Sequence, residues 1–155
     1  MRPPAIDDAE LVLRRYDPAD PHHCVVDQMT GRARVTAAAF TFKEAQPAER
    51  EFGHLLASCN RDVVLASMGV SRQSVIRPPH WRLAGAVVRD ICAVVMITDS
   101  EPCFEVFANP LRQGCADQTA EEASHALISL VRSELSRNKQ RRLVSDMARR
   151  FTPMM

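Results

Sequence analysis

Glycine is scarce in this chain: five in 155 residues, none of them clustered. A glycine-rich loop of the kind that cradles phosphates is therefore absent. Aromatic residues make up 5%, too few to interleave the cations as a stacking platform for single-stranded nucleic acid. Lysine is nearly missing: of 20 basic residues, only Lys43 and Lys139 are lysines. With abundant alanine, that bias points to a GC-rich bacterial genome, or to selection of arginine for bidentate recognition of phosphate or carboxylate. The net charge of +1 gives no whole-molecule attraction to nucleic acid or to acidic membranes. No run reaches about 18 apolar residues, so no membrane-spanning segment is expected. The opening MRPPAIDDAE has no apolar core, which argues against a signal peptide. The cysteines (Cys24, Cys59, Cys92, Cys103 and Cys115) are odd in number and never spaced as CxxC. They read as free thiols in a reducing, cytoplasmic setting. GxSxG, HExxH and HxH patterns are absent, and neither a metal nor a cofactor is expected.

What is present is an ordinary globular composition, with 46% hydrophobic and 25% charged residues. The length fits a single domain. The most apolar stretch is residues 91–108, ICAVVMITDSEPCFEVFA. It reads as two strands around a turn at Asp99-Ser100-Glu101-Pro102, the first arm covered on both faces and the second alternating. Residues 10–16 read as a strand or a short helix, and 22–26 as a short strand. A turn at 27–32 and an extended stretch at 33–42 follow. Pro47 with Glu49 and Glu51 fits the first turn of a helix over 47–60. Its apolar stripe would be Phe52, Leu55, Leu56 and Cys59. Gly53 sits inside that pattern at a cost of about 1 kcal/mol. Residues 61–71 fit a strand or a helix, and 81–90 a strand. Thr119 and Glu122 match a capping box. An apolar stripe follows it, is interrupted at Ser136-Arg137-Asn138, and resumes through Phe151. The fold class expected is α+β: a single domain with a mostly antiparallel sheet around the 91–108 hairpin. A central helix (about 47–60) and a long C-terminal helix or helix pair (about 119–151) would pack on it. Residues 1–9 read as a loose lead-in, and 132–155 as a basic helical tail.

Three features carry candidate chemistry. The tail holds Arg132, Arg137, Lys139, Arg141, Arg142, Arg149 and Arg150 against only Glu134 and Asp146. Such a face suits an acidic protein partner or, alternatively, a phosphate backbone. The double proline before His80-Trp81-Arg82 presents Trp81 and Arg82, residue types enriched at interfaces. His22 and His23, with His80, are candidate general bases of an enzyme acting on a nucleotide or nucleic acid. Neighbouring histidines on a strand face opposite ways, which argues against one metal between His22 and His23. The leading expectation is a small cytoplasmic accessory protein that binds a larger protein partner through Trp81, Arg82, Arg137, Arg141, Arg142, Arg149 and Arg150. The alternatives are the His/Arg enzyme and a nucleic-acid binder using the basic tail.

Overall fold

Alternation of apolar residues builds the sheet. In the computed structural model, which describes residues 4–61 and 81–154, the first strand is β1 (Leu11–Tyr16). Val12 and Tyr16 face one side and Leu13 the other. The remaining strands are β2 (Cys24–Val26), β3 (Ala33–Val35), β4 (Lys43–Glu44), β5 (Leu55–Arg61), β6 (Arg82–Val87), β7 (Phe104–Ala108), β8 (His125–Leu130) and β9 (Thr152–Pro153). The main sheet runs β7-β8-β5-β1-β6-β9, with β4 beside β5, and all its pairings are antiparallel. β2 and β3 form a separate hairpin around Gly31, whose φ of +71° suits glycine. Among the described residues the α-helices are α1 (Val88–Cys92), α2 (Ala120–Ala123) and α3 (Arg137–Ala148).

One face of the sheet carries the main core. Ala57, Cys59, Phe104, Val106, Ala126, Ile128 and Leu130 meet Leu143, Val144, Met147 and Ala148 of α3 there, with Phe40 and Phe151. The opposite face holds two smaller clusters. Phe52, Leu56, Phe107 and Leu127 form one; Leu13 and Leu83 form the other, with Trp81 and Met154 against them. The expected class, a mixed single domain with a mostly antiparallel sheet and a C-terminal helix, is what the chain adopts.

Four stretches differ from expectation. The extended run expected over 33–42 is strand only at Ala33–Val35, and Ala37–Ala39 makes a 3-10 turn, as suits an alanine run. Residues 47–60 are not a helix: Pro47–Glu49 makes one 3-10 turn with a Gln46–Glu49 capping box, and β5 begins at Leu55. The Leu55, Leu56 and Cys59 spacing that fits a helix also fits a strand with apolar neighbours on both faces, Ala57 and Cys59 on one and Leu56 on the other. The first arm of the expected 91–108 hairpin is α1 and a turn, with only Val95 bridging to Pro102. The strand edge it would have filled is taken by the N-terminus. Ile6 N–H donates to the Val106 carbonyl (3.1 Å) and Ala108 N–H to that of Pro4 (3.2 Å). The Thr119–Glu122 capping box forms, yet its helix ends at Ala123, because residues 126–130 enter the sheet as β8. Ser136, read as an interruption, is the N-cap of α3. Residues 62–80, including the 61–71 ambiguity almost entirely, lie outside the described residues. Among the described residues no helix is long and apolar enough to cross a membrane.

Candidate interaction surface

α3 starts where Ser136 Oγ accepts the Lys139 amide (3.4 Å). Its apolar side is spent on the core, which leaves Arg137, Lys139, Arg141, Arg142, Arg149 and Arg150 exposed around Asp146. None of these six cations makes an ion pair among the described residues. Other arginines of the chain do. Arg61 grips Glu10 through two bonds of 2.5 and 2.8 Å. Arg112 pairs with Asp117 and Glu122. Arg132, the seventh cation of the tail, is spent on Asp99 (2.7 Å) and Glu134. Arg149 and Arg150 follow the last turn, where the helix dipole favours positive charge. Arg137 and Lys139 sit in the first turn, where it does not, and no acidic residue offsets them there. A carboxylate in that turn would be worth about 0.3–1 kcal/mol.

Beside the first two turns of α3 runs a groove of about 470 Å³. Ala37, Phe40, Phe42, Leu55 and Val144 form its apolar lining. Lys43, Arg137 and Arg141 stand on its rim, with Glu44 and His54. Gln140 is buried at its side, and Nε2 donates to the carbonyls of Leu135 (3.0 Å) and Ser133 (3.4 Å), fixing the incoming loop to the helix.

The other candidates fall elsewhere. His22 is exposed, and its carbonyl accepts the Thr36 hydroxyl. His23 lies edge-on to Trp81, with ring centroids 5.9 Å apart. Its Nδ1 accepts the Asp17 amide (3.3 Å) and its Nε2 faces Asp20 (3.7 Å), so both ring nitrogens hold the loop. Trp81 packs on Leu13 and Leu83 and lends its carbonyl to Arg82 Nη1 (3.1 Å). His80 lies outside the described residues.

A second concave feature was invisible in the sequence. Among the described residues, β1 and β5 pair only at Val12↔Arg61 and Leu13↔Asn60. Where they part, a cleft of about 370 Å³ opens, lined by Leu13, Arg15, Ser58, Asn60, Glu121 and His125 among others. His125 Nδ1 lies 3.0 Å from the Asn109 carbonyl and 3.4 Å from Asn109 Nδ2, so either tautomer finds a partner there. Burial holds the ring below its ordinary pKa, against the opposing pull of that carbonyl. No hydrogen bond engages Nε2 among the described residues, and His125 lines the cleft. The signal in the chain is slight: one histidine heading the apolar run HALISL. Among the described residues no three His, Cys, Asp or Glu side chains gather as metal ligands.

No family model, curated protein or solved structure matches this chain. Its function is therefore argued from its own residues.

All five cysteines are free thiols. Burial pushes Cys59 up to about 12 and Cys92 to about 11, and raises Cys103. Only Cys115 is exposed. Since the thiolate is the reactive form, a colorimetric disulfide reagent is expected to label Cys115 first in the native protein. Cys59 and Cys103 should react only after unfolding. Equal native rates at all three would contradict this burial pattern.

Proposed function

We propose that the chain is an interaction protein, an accessory subunit that docks an acidic surface of a larger protein partner on the exposed side of α3. The observation that carries this reading is the set of six exposed cations without an ion pair among the described residues, two of them placed against the helix dipole. A helix selected for stability alone would put acids in its first turn. The adjoining apolar groove favours a protein over a phosphate backbone, which offers sugar and phosphate to such a face.

The test compares the tagged wild type with a variant carrying Arg141→Ala, Arg142→Ala, Arg149→Ala and Arg150→Ala, in pull-downs from host lysate with and without nuclease. These side chains are exposed, so folding stability should move little, by about 0.5 kcal/mol per site at most. The expected result is a protein held by the wild type, released by salt, and held at least about tenfold less by the variant. Equal retention by the variant would overturn the reading. So would a bound species whose 260 nm absorbance disappears with nuclease.

A further inference from the structure

We infer that the groove beside α3 selects the partner's segment, and that this segment is an acidic amphipathic peptide: apolar side chains inward, carboxylates toward the rim. The inference rests on the reading of α3 as the docking face and adds what that face recognises.

Three observations meet at one place. The lining is apolar, with two aromatics among its five apolar residues: Phe40 and Phe42 lie with ring centroids 6.3 Å apart, beside Ala37, Leu55 and Val144. The rim carries Lys43, Arg137 and Arg141 against the single carboxylate of Glu44. None of those three cations is in an ion pair among the described residues. The two halves come from distant parts of the chain and are fixed to the core and to the incoming loop. Phe40 is anchored on Phe151 at 4.8 Å, and Gln140 ties the loop before α3 to the helix. An acidic surface with no apolar side chains would satisfy the rim and leave the lining wet. An apolar segment without acids would leave three cations facing a low-dielectric neighbour without partners, which costs affinity. A segment carrying both satisfies both, in the manner of an amphipathic helix laid into a groove. Burying one leucine is enough for about tenfold in affinity.

The experiment measures fluorescence anisotropy with two labelled peptides of equal length and equal negative charge. One places leucine at helical three-to-four spacing among glutamates; the other has serine at those positions. The wild type is expected to bind the leucine peptide about tenfold tighter or more. Phe42→Ser should remove that preference while keeping the weaker, charge-driven binding, with a melting curve to confirm that the variant is folded. Arg137→Ala with Arg141→Ala, both exposed and independent of the core, should weaken the leucine peptide more than the serine one. Arg149→Ala with Arg150→Ala should weaken both alike. Equal affinity for the two peptides, both lost in the fourfold arginine variant of α3, would overturn the groove and leave the docking face standing. Binding of neither peptide would overturn both.

Discussion

Gly53→Ala is expected to destabilise the chain by about 3 kcal/mol or more. Gly53 has φ +156°, a conformation that L-residues rarely adopt. A side chain there also has nowhere to go. Its Cβ would fall within the volume of the Ser129 hydroxyl, 2.9 Å from Ser129 Cβ and 3.3 Å from the Leu130 carbonyl. Ser129 cannot yield: it is wholly buried in β8, and its hydroxyl donates to the Phe52 carbonyl. The close approach lets the chain turn from the Pro47–Glu49 turn into β5 while Phe52 packs on Phe107. Urea unfolding monitored by circular dichroism checks it. Adding Ser129→Gly to Gly53→Ala should restore part of the loss by removing the clash, while the strained φ and the deserted Phe52 carbonyl remain. An unchanged midpoint in the single variant would refute this packing.

Arg14→Met should cost about 2–4 kcal/mol, because two carbonyls lose their donor at once. Arg14 Nε donates to the Ala39 carbonyl (2.8 Å) and Nη1 to that of Ser58 (2.7 Å). The guanidinium thus takes over where the β1–β5 ladder ends at Leu13↔Asn60, and it spans the gap under the Phe40 ring, 5.7 Å from its centroid. Burial lowers the pKa of this group, yet an arginine remains charged at any working pH. Its forked donors suit two diverging carbonyls; a lysine ammonium reaches them less well, so Arg14→Lys should recover only part of the loss. Denaturant midpoints measure the cost, and amide exchange in β5 should quicken in Arg14→Met. A methionine variant as stable as wild type would show that the gap closes without this side chain.

Both residues show where sequence reasoning stops. The short strand before the 27–32 turn, that turn, β6 and the Thr119–Glu122 cap were legible because local chemistry decides them, whereas the pattern over β1 fits a strand and a short helix alike. Residues 47–60 and 126–130 were not. Each packs in the sheet against neighbours from far along the chain: over 47–60 the helical spacing of Phe52, Leu55, Leu56 and Cys59 is overridden by those partners, and the short apolar run 126–130 carries no period that separates strand from helix. Residues 91–98 look like a strand in isolation. They lost the edge of β7 to Ala5 and Ile6, a competition no local pattern records. The basic tail was legible as charge, but not which cations the fold consumes. Arg132 goes to Asp99, 33 positions away. The groove depends on residues 37–55 meeting 137–144, and the Arg14 bridge on β1 meeting residues 39 and 58.

The scarcity of lysine offers the most direct test of the docking claim. Lys43 and Lys139 are the chain's only lysines, and they lie on the groove rim and in the first turn of α3. A carbodiimide couples carboxylates to amines and leaves arginine untouched. Treating the purified complex with it, then mapping the joined peptides by mass spectrometry, reads which amines face acidic residues of the partner. The account predicts partner Asp and Glu joined to Lys139, and to Lys43 when the groove is filled. A stable complex whose cross-links spare both lysines and involve only the N-terminal amine would contradict it.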